Sequence, residues 1–222
     1  MESISHTEEN YLKAIFTICE KEGKSASTNA IAEEMQTSAA SVTDMLKRLA
    51  DKGLINYEKY KGVTLSLKGN KIATNLIRKH RLWEVFLVKS LHFSWDEVHD
   101  IAEQLEHIKS VELVQRLDHF LEEPKFDPHG DPIPDFEGKF AFRKQLPLAN
   151  LEKGEIGTVV GVVDHSTAFL QYLDRMELAL GTKVKLLEKF EYDESIKIVL
   201  DGKKEEVLSN KVSRNLFIQK QE

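Results

Sequence analysis

Four of the chain's five prolines, Pro124, Pro128, Pro132 and Pro134, fall in the stretch EEPKFDPHGDPIPDFEGKFAF. Proline has no backbone N–H and clashes with the preceding helical turn, so this stretch cannot sustain a helix. It reads as a linker laid over another surface, and it separates two kinds of pattern. Ahead of it, apolar residues recur at helical spacing. Behind it, LEKGEIGTVVGVVD, TKVKLLEKF, SIKIVL and KKEEVL form short β-like runs with glycine turns, interrupted by one helix near Thr167 to Met176. The chain therefore predicts a mainly α architecture followed by a small β-barrel.

The helical part has internal order. TEENYLKAIFTICEKE places Tyr11, Leu12, Ile15, Phe16 and Ile18 on a helix that opens at Thr7 and stops at Gly23 to Ser27. STNAIAEEM and TSAASVTDMLKRLADKGLI give two more helices, the second ending at Gly53. INYEKYKGVTLSLKG, with β-branched and aromatic residues about Lys61-Gly62, reads as a hairpin. A helix, a helix-turn-helix and a hairpin in that order describe a winged helix-turn-helix. Long helices are expected from about Asn70 through Lys89 and from Trp95 to about Glu122. The second has more apolar surface than an exposed helix carries, so packing on the first domain and on a second subunit is expected to consume it.

The net charge of −6 would by itself argue against nucleic acid, but the average hides an inversion. From Lys47 to Arg81, ten basic residues face two acidic ones, a balance of +8; from Leu82 to Glu137, four basic face fourteen acidic, a balance of −10. A DNA-reading helix needs short side chains where it enters the major groove and longer donors where phosphates pass. Ser38, Ala40, Ser41, Thr43 and Asp44 meet the first need, Lys47 and Arg48 the second, and Lys59 and Lys61 lie at the hairpin tip. The serines ahead of Val42 also suit a helix cap, and the two hairpin lysines also suit a solvated turn. Asp44 would be tolerated beside phosphates if it accepts from a cytosine amino group.

In the acidic segment, His99, Glu103, Glu106 and His107 fall within about a 100° sector if one helix carries them all. His80 and Glu84 form an i,i+4 pair on another helix. Imidazole and carboxylate together suit divalent Mn, Fe, Co or Zn, and these residues equally make a polar helix face. A hydrolase is disfavoured, because no nucleophile stands beside the cluster. Cys19 is the single cysteine, which excludes an internal disulfide and a four-cysteine zinc site and fits a reducing compartment. With no long apolar run and no signal-like N-terminus, the expected location is cytoplasmic.

TEENYLKAI, SVTDMLKRLADKGLINYEKYKGVTLSLKG, RKHRLWEVF, VHDIAEQLEH and DPHGDPIP, in this order, resemble the diphtheria toxin repressor family of iron- and manganese-dependent transcriptional repressors, in its long form with an SH3-like C-terminal domain. The resemblance implies a DNA-binding domain over 1–73, a metal-binding and dimerisation domain over 74–140, and an SH3-like domain over 146–222. It implies a repressor of metal-ion homeostasis, not an enzyme, acting as a homodimer on a palindromic double-stranded operator. In the family, metal binding sets two reader domains onto successive groove faces, roughly 34 Å apart.

By position, His80, Glu84 and His99 resemble the family's ancillary metal site, and Glu103, Glu106 and His107 its primary one, closed by Asn10. His165 stands where the C-terminal domain can lend a ligand; Ala168, at the other such position, cannot ligate. Glu103 replaces the cysteine of iron-type members, which favours Mn(2+) over Fe(2+), with Co(2+) or Zn(2+) as substitutes in vitro. Asn10 stands where iron-type members have methionine and manganese-type members commonly aspartate, and Lys13 where some manganese regulators have a glutamate ligand. The alternatives are an iron-responsive repressor of the same architecture and a DNA-binding regulator with purely structural metal sites.

Overall fold

The computed structural model describes residues 4–58 and 62–221. Two compact units divide the chain. One holds the chain up to His80 with Glu103–Val114 and Pro134–Phe140; the other holds Arg81–Ala102, Gln115–Ile133 and the chain from Ala141.

The first unit opens with α1, His6–Glu22. Ser5 accepts from the Glu8 N–H at 3.3 Å while the Glu8 carboxylate accepts from the Ser5 N–H at 2.9 Å, a reciprocal cap that satisfies two otherwise orphaned donors. Helices α2, Thr28–Glu34, and α3, Ala39–Asp51, each begin on a serine cap, Ser27 and Ser38. Val42, Leu46 and Leu49 on α3 are fully buried against Leu12, Ile15 and Ile31. Strands β1, Ile55–Glu58, and β2, Gly62–Leu65, pair antiparallel, and Ala26 adds a further bridge to Val63. This is the winged helix-turn-helix order read from the sequence.

Helix α4, Leu67–Leu91, follows at once, with Ser66 accepting from the Gly69 N–H at 3.1 Å. A Cβ on Gly69 would lie 1.9 Å from the Leu54 carbonyl oxygen, so only glycine admits so close an approach of the two backbones.

One expectation needs correcting. The apolar run from Trp95 to Glu122 is two helices, α5, Val98–Leu105, and α6, Val111–Phe120. Ser110 is the cause: its hydroxyl accepts from the Leu113 N–H at 3.2 Å and starts α6 afresh. Glu106 and His107 consequently lie in the turn after α5, and only His99 and Glu103 share its helix.

The second unit is dominated by an antiparallel sheet. β3 (Leu146–Pro147), β4 (Ile156–Val162), β5 (Lys183–Lys189), β6 (Ile196–Leu200), β7 (Lys204–Leu208) and β8 (Leu216–Lys220) stand in the order β3-β8-β4-β5-β6-β7. Helix α7, Thr167–Arg175, and Leu148 and Leu151 pack into its core beside Val159, Leu173, Leu186 and Ile198. The order is open, so the expected barrel is a sheet with two edges rather than a closed one. Physical reasons lie at both ends: β3 is two residues long and ends on a proline, and β7 carries Lys204, Glu205 and Glu206, charges that discourage further pairing.

The proline segment is ordered by its own turns. The Asp127 carboxylate accepts from the backbone N–H groups of His129 and Asp131 at 2.8 and 2.9 Å. Gly130, at φ +90°, brings the turn against β4, where a Cβ would meet the Val160 oxygen at 2.1 Å. Among the described residues, no helix is long and apolar enough to cross a membrane.

Candidate functional site

The outer face of α3 bears the residues expected to read DNA. Ser38, Ala40, Ser41, Asp44, Lys47 and Arg48 are exposed and Thr43 is half-buried. Several are already engaged locally. The Ser38 hydroxyl caps the helix by accepting from the Ser41 N–H at 3.2 Å and lies 2.9 Å from the Ser41 hydroxyl; Thr43 donates to the Ala39 carbonyl at 2.8 Å. Lys47 pairs with Asp44 at 3.2 Å, which offsets the carboxylate's charge. Lys59 and Lys61 lie outside the described residues.

In the first unit, α1 and the turn after α5 build a cluster around Glu106, which is fully buried. Its Oε2 accepts from Lys13 Nζ at 2.7 Å and from His80 Nδ1 at 2.6 Å. Burial works to keep the carboxyl protonated, yet the His80 bond and the Lys13 charge hold it below its ordinary value. Its other oxygen, Oε1, is buried with no hydrogen-bond donor and lies 3.9 Å from His107 Nε2. Asn10 Oδ1 is likewise buried without a donor.

His107 is oriented by a residue that sequence reading missed. Its Nδ1 is 2.6 Å from Glu9 Oε2, and a carboxylate only accepts, so Nδ1 carries a proton and Nε2 is the ring's other polar atom, facing Glu106. The His6 ring stacks on it at 4.3 Å. Glu103 is exposed, 3.6 Å from Lys13 Nζ.

Buried acceptors without donors are costly, and a divalent ion is what satisfies several at once. Amide oxygen, carboxylate and neutral imidazole are donor types that suit manganese or iron, and Asn10, Glu103, Glu106 and His107 are of those types.

The second unit has a different cluster. Glu84 is buried, with Oε1 3.7 Å from His99 Nδ1 and Oε2 3.7 Å from His129 Nδ1. Glu84, Asp127 and His129 offer ligand atoms that all lie within 4.8 Å of one another. His129 Nε2 donates to the Trp95 carbonyl at 2.8 Å. Burial opposes its charge, but the Glu84 and Asp127 carboxylates nearby push its pKa up to about 9. Arg81 reaches Asp127 at 3.5 Å and Asp131 at 3.1 Å. His165 stacks on His129 at 4.7 Å and points Nε2 at Asp131, 4.0 Å away. His80 stands one turn before Glu84 on α4. Asp127 and His129 were missed because four prolines made their segment read as a linker, although a histidine between two aspartates was a signal.

Residues 3–63 match the N-terminal DNA-binding domain of iron-dependent repressors, 66–135 their metal-binding and dimerisation domain, and 146–220 a FeoA domain. The iron-dependent repressor IdeR of Mycobacterium leprae (strain TN) is 32% identical over 167 residues, covering 73% of this chain and 72% of that protein. The diphtheria toxin repressor of Corynebacterium diphtheriae is 26% identical over 230 residues, covering 95% and 96%. A manganese-dependent transcriptional repressor solved in complex with manganese superposes with a TM-score of 0.83 at 32% identity, over 96% of this chain and 100% of that one. The manganese regulator SloR superposes at 0.73 with 33% identity, over 96% and 98%. These relatives are DNA-binding repressors rather than enzymes, and this chain belongs with them to the family of iron- and manganese-dependent transcriptional repressors.

Proposed function

We propose that the chain is a manganese-responsive repressor that binds a palindromic operator as a homodimer in the cytoplasm. On this reading residues 1–73 read DNA, 74–140 bind metal and dimerise, and 146–222 form the SH3-like domain. The observation that carries the proposal is the donor-less buried Glu106 Oε1, 3.9 Å from Nε2 of a His107 whose Nδ1 is held by Glu9, together with the donor-less buried Asn10 Oδ1 on α1.

Asn10, Glu103, Glu106 and His107 would hold the primary ion; His80, Glu84 and His99 an ancillary one, with His165 able to join. A bound ion supplies positive charge and a shared coordination shell. Asn10 and Glu9 belong to α1, which packs its Leu12 and Ile15 into the reader's core, whereas Glu106 and His107 belong to the turn before α6. Holding Asn10 to Glu106 thus ties the reader core to that turn and narrows the reader's freedom. The exposed side chains of α3 then meet the groove, with Lys47 and Arg48 toward phosphates and Lys59 and Lys61 at the wing. Exposed Val111, Leu113 and Phe120 on α6 support a dimer contact.

Only an ion that binds the DNA-competent form more tightly than the other can shift the equilibrium. The test is anaerobic fluorescence anisotropy with operator DNA at fixed salt, in chelator and with Mn, Fe, Co or Zn. Tight binding with manganese and weak binding in chelator are expected. Equal binding in both sinks the reading, and iron outranking manganese at equal free concentration replaces manganese with iron.

A further inference from the structure

Lys13 presents an arrangement that neither DNA reading nor the primary ion uses. Its ammonium lies 2.7 Å from Glu106 Oε2, 3.6 Å from Glu103 Oε1 and 3.2 Å from His80 Nδ1. Carboxylate oxygens are the donors of a divalent-ion site, and here two of them face a lysine, while His80 Nδ1, which donates to Glu106, has no lone pair to offer it. Its side chain is largely covered and that of Glu106 is almost wholly so, which leaves the pair little water to screen it. The carboxylate of Glu106 is thereby split, Oε2 toward the ammonium and Oε1 open.

We propose that Lys13 is a tethered cation occupying the second half of this cluster, so that the cluster takes one divalent ion and excludes a neighbour. Two-metal sites need carboxylates whose oxygens face ions roughly 3.5–4 Å apart, and Glu106 would be the bridging carboxylate if Lys13 were absent. The ammonium is a monovalent stand-in built into α1. It neutralises Glu106 when no ion is bound, and it repels any ion approaching Oε2. It therefore limits both how many ions the cluster holds and how tightly it holds the first. The inference rests on the proposed primary site.

The test counts manganese per chain by equilibrium dialysis, with electron paramagnetic resonance to detect coupled pairs. The full-length protein carries Glu84→Gln and His99→Ala so that only this cluster is counted. The parent is expected to bind one ion. Lys13→Glu, which replaces the cation with a ligand, is expected to bind two with a coupled-pair signal, and Lys13→Arg, which keeps the charge, to stay at one. Lys13→Gln is expected to tighten the first ion at least about tenfold by removing a unit charge a few ångströms away. One ion in Lys13→Glu, or unchanged affinity in Lys13→Gln, overturns the inference. No ion in the parent overturns the proposed site instead, so the two failures are told apart.

Discussion

The two clusters are built from the same residue types and differ in the cation built into each. In the first unit, Glu106 and Asn10 are left with buried acceptors that no donor meets. In the second, Arg81 pairs with Asp127 and Asp131, while His129 Nδ1 is buried 3.7 Å from Glu84 with no hydrogen-bond partner. Counting histidines and carboxylates would rank the clusters as equals. Asking which built-in cation meets the carboxylates separates them: a lysine holds one oxygen of Glu106 in the first, and an arginine meets Asp127 and Asp131 in the second.

The sharpest way to break this contrast is Glu106→Gln, which is expected to weaken manganese binding by more than about 100-fold, beyond the range of outer-sphere changes. A calorimetric titration showing a smaller loss would mean that Glu106 is not a ligand. Next is Arg81→Met, which strips the second cluster of its internal charge and is expected to lower stability by roughly 2 kcal/mol in denaturant titration. That is less than for a fully buried pair, because Arg81 is partly exposed. The loss should be equal in chelator and at manganese just sufficient to fill the first cluster; recovery with manganese would make the two clusters alike after all.

A finer probe is Glu9→Ala, which removes the acceptor that holds the His107 ring and is expected to cost about tenfold in manganese affinity, measured by dialysis, with the fold intact by circular dichroism. The smallest effect belongs to Ser5→Ala. Losing the α1 cap is expected to cost about 1 kcal/mol in thermal unfolding and to weaken manganese slightly, since α1 carries Asn10. An unchanged melting curve would place α1's start outside the folding unit.

How much of this was legible in the sequence follows the same physics. The reader domain was plain because Leu12, Ile15, Val42, Leu46 and Leu49 keep helical period and Gly23 and Gly53 end their helices. The β runs were plain because alternation shows in SIKIVL, buried at Ile196, Ile198 and Leu200. The break between α5 and α6 was hidden because apolar residues continue at helical spacing on both sides of it, and a single Ser110 restarts the helix. The open sheet was hidden because strand order is set by contacts far apart in the chain.

For the first cluster, the ligand candidates were found by spacing and resemblance, but Glu9 was not, because an acidic residue in a helix's first turn already has a dipole explanation. Asp127 and His129 were hidden for the reverse reason: prolines announce irregular backbone but not whether side chains along it are buried.

The contact at Gly69 carries one more implication. Where the start of α4 meets the Leu54 carbonyl, the nearest atoms are main-chain ones, so backbone rests directly on backbone. Such a seam cannot absorb motion the way a layer of leucines can. If α4 turns about its own axis, the hairpin that begins at Ile55 must turn with it, much as a riveted plate follows its bar.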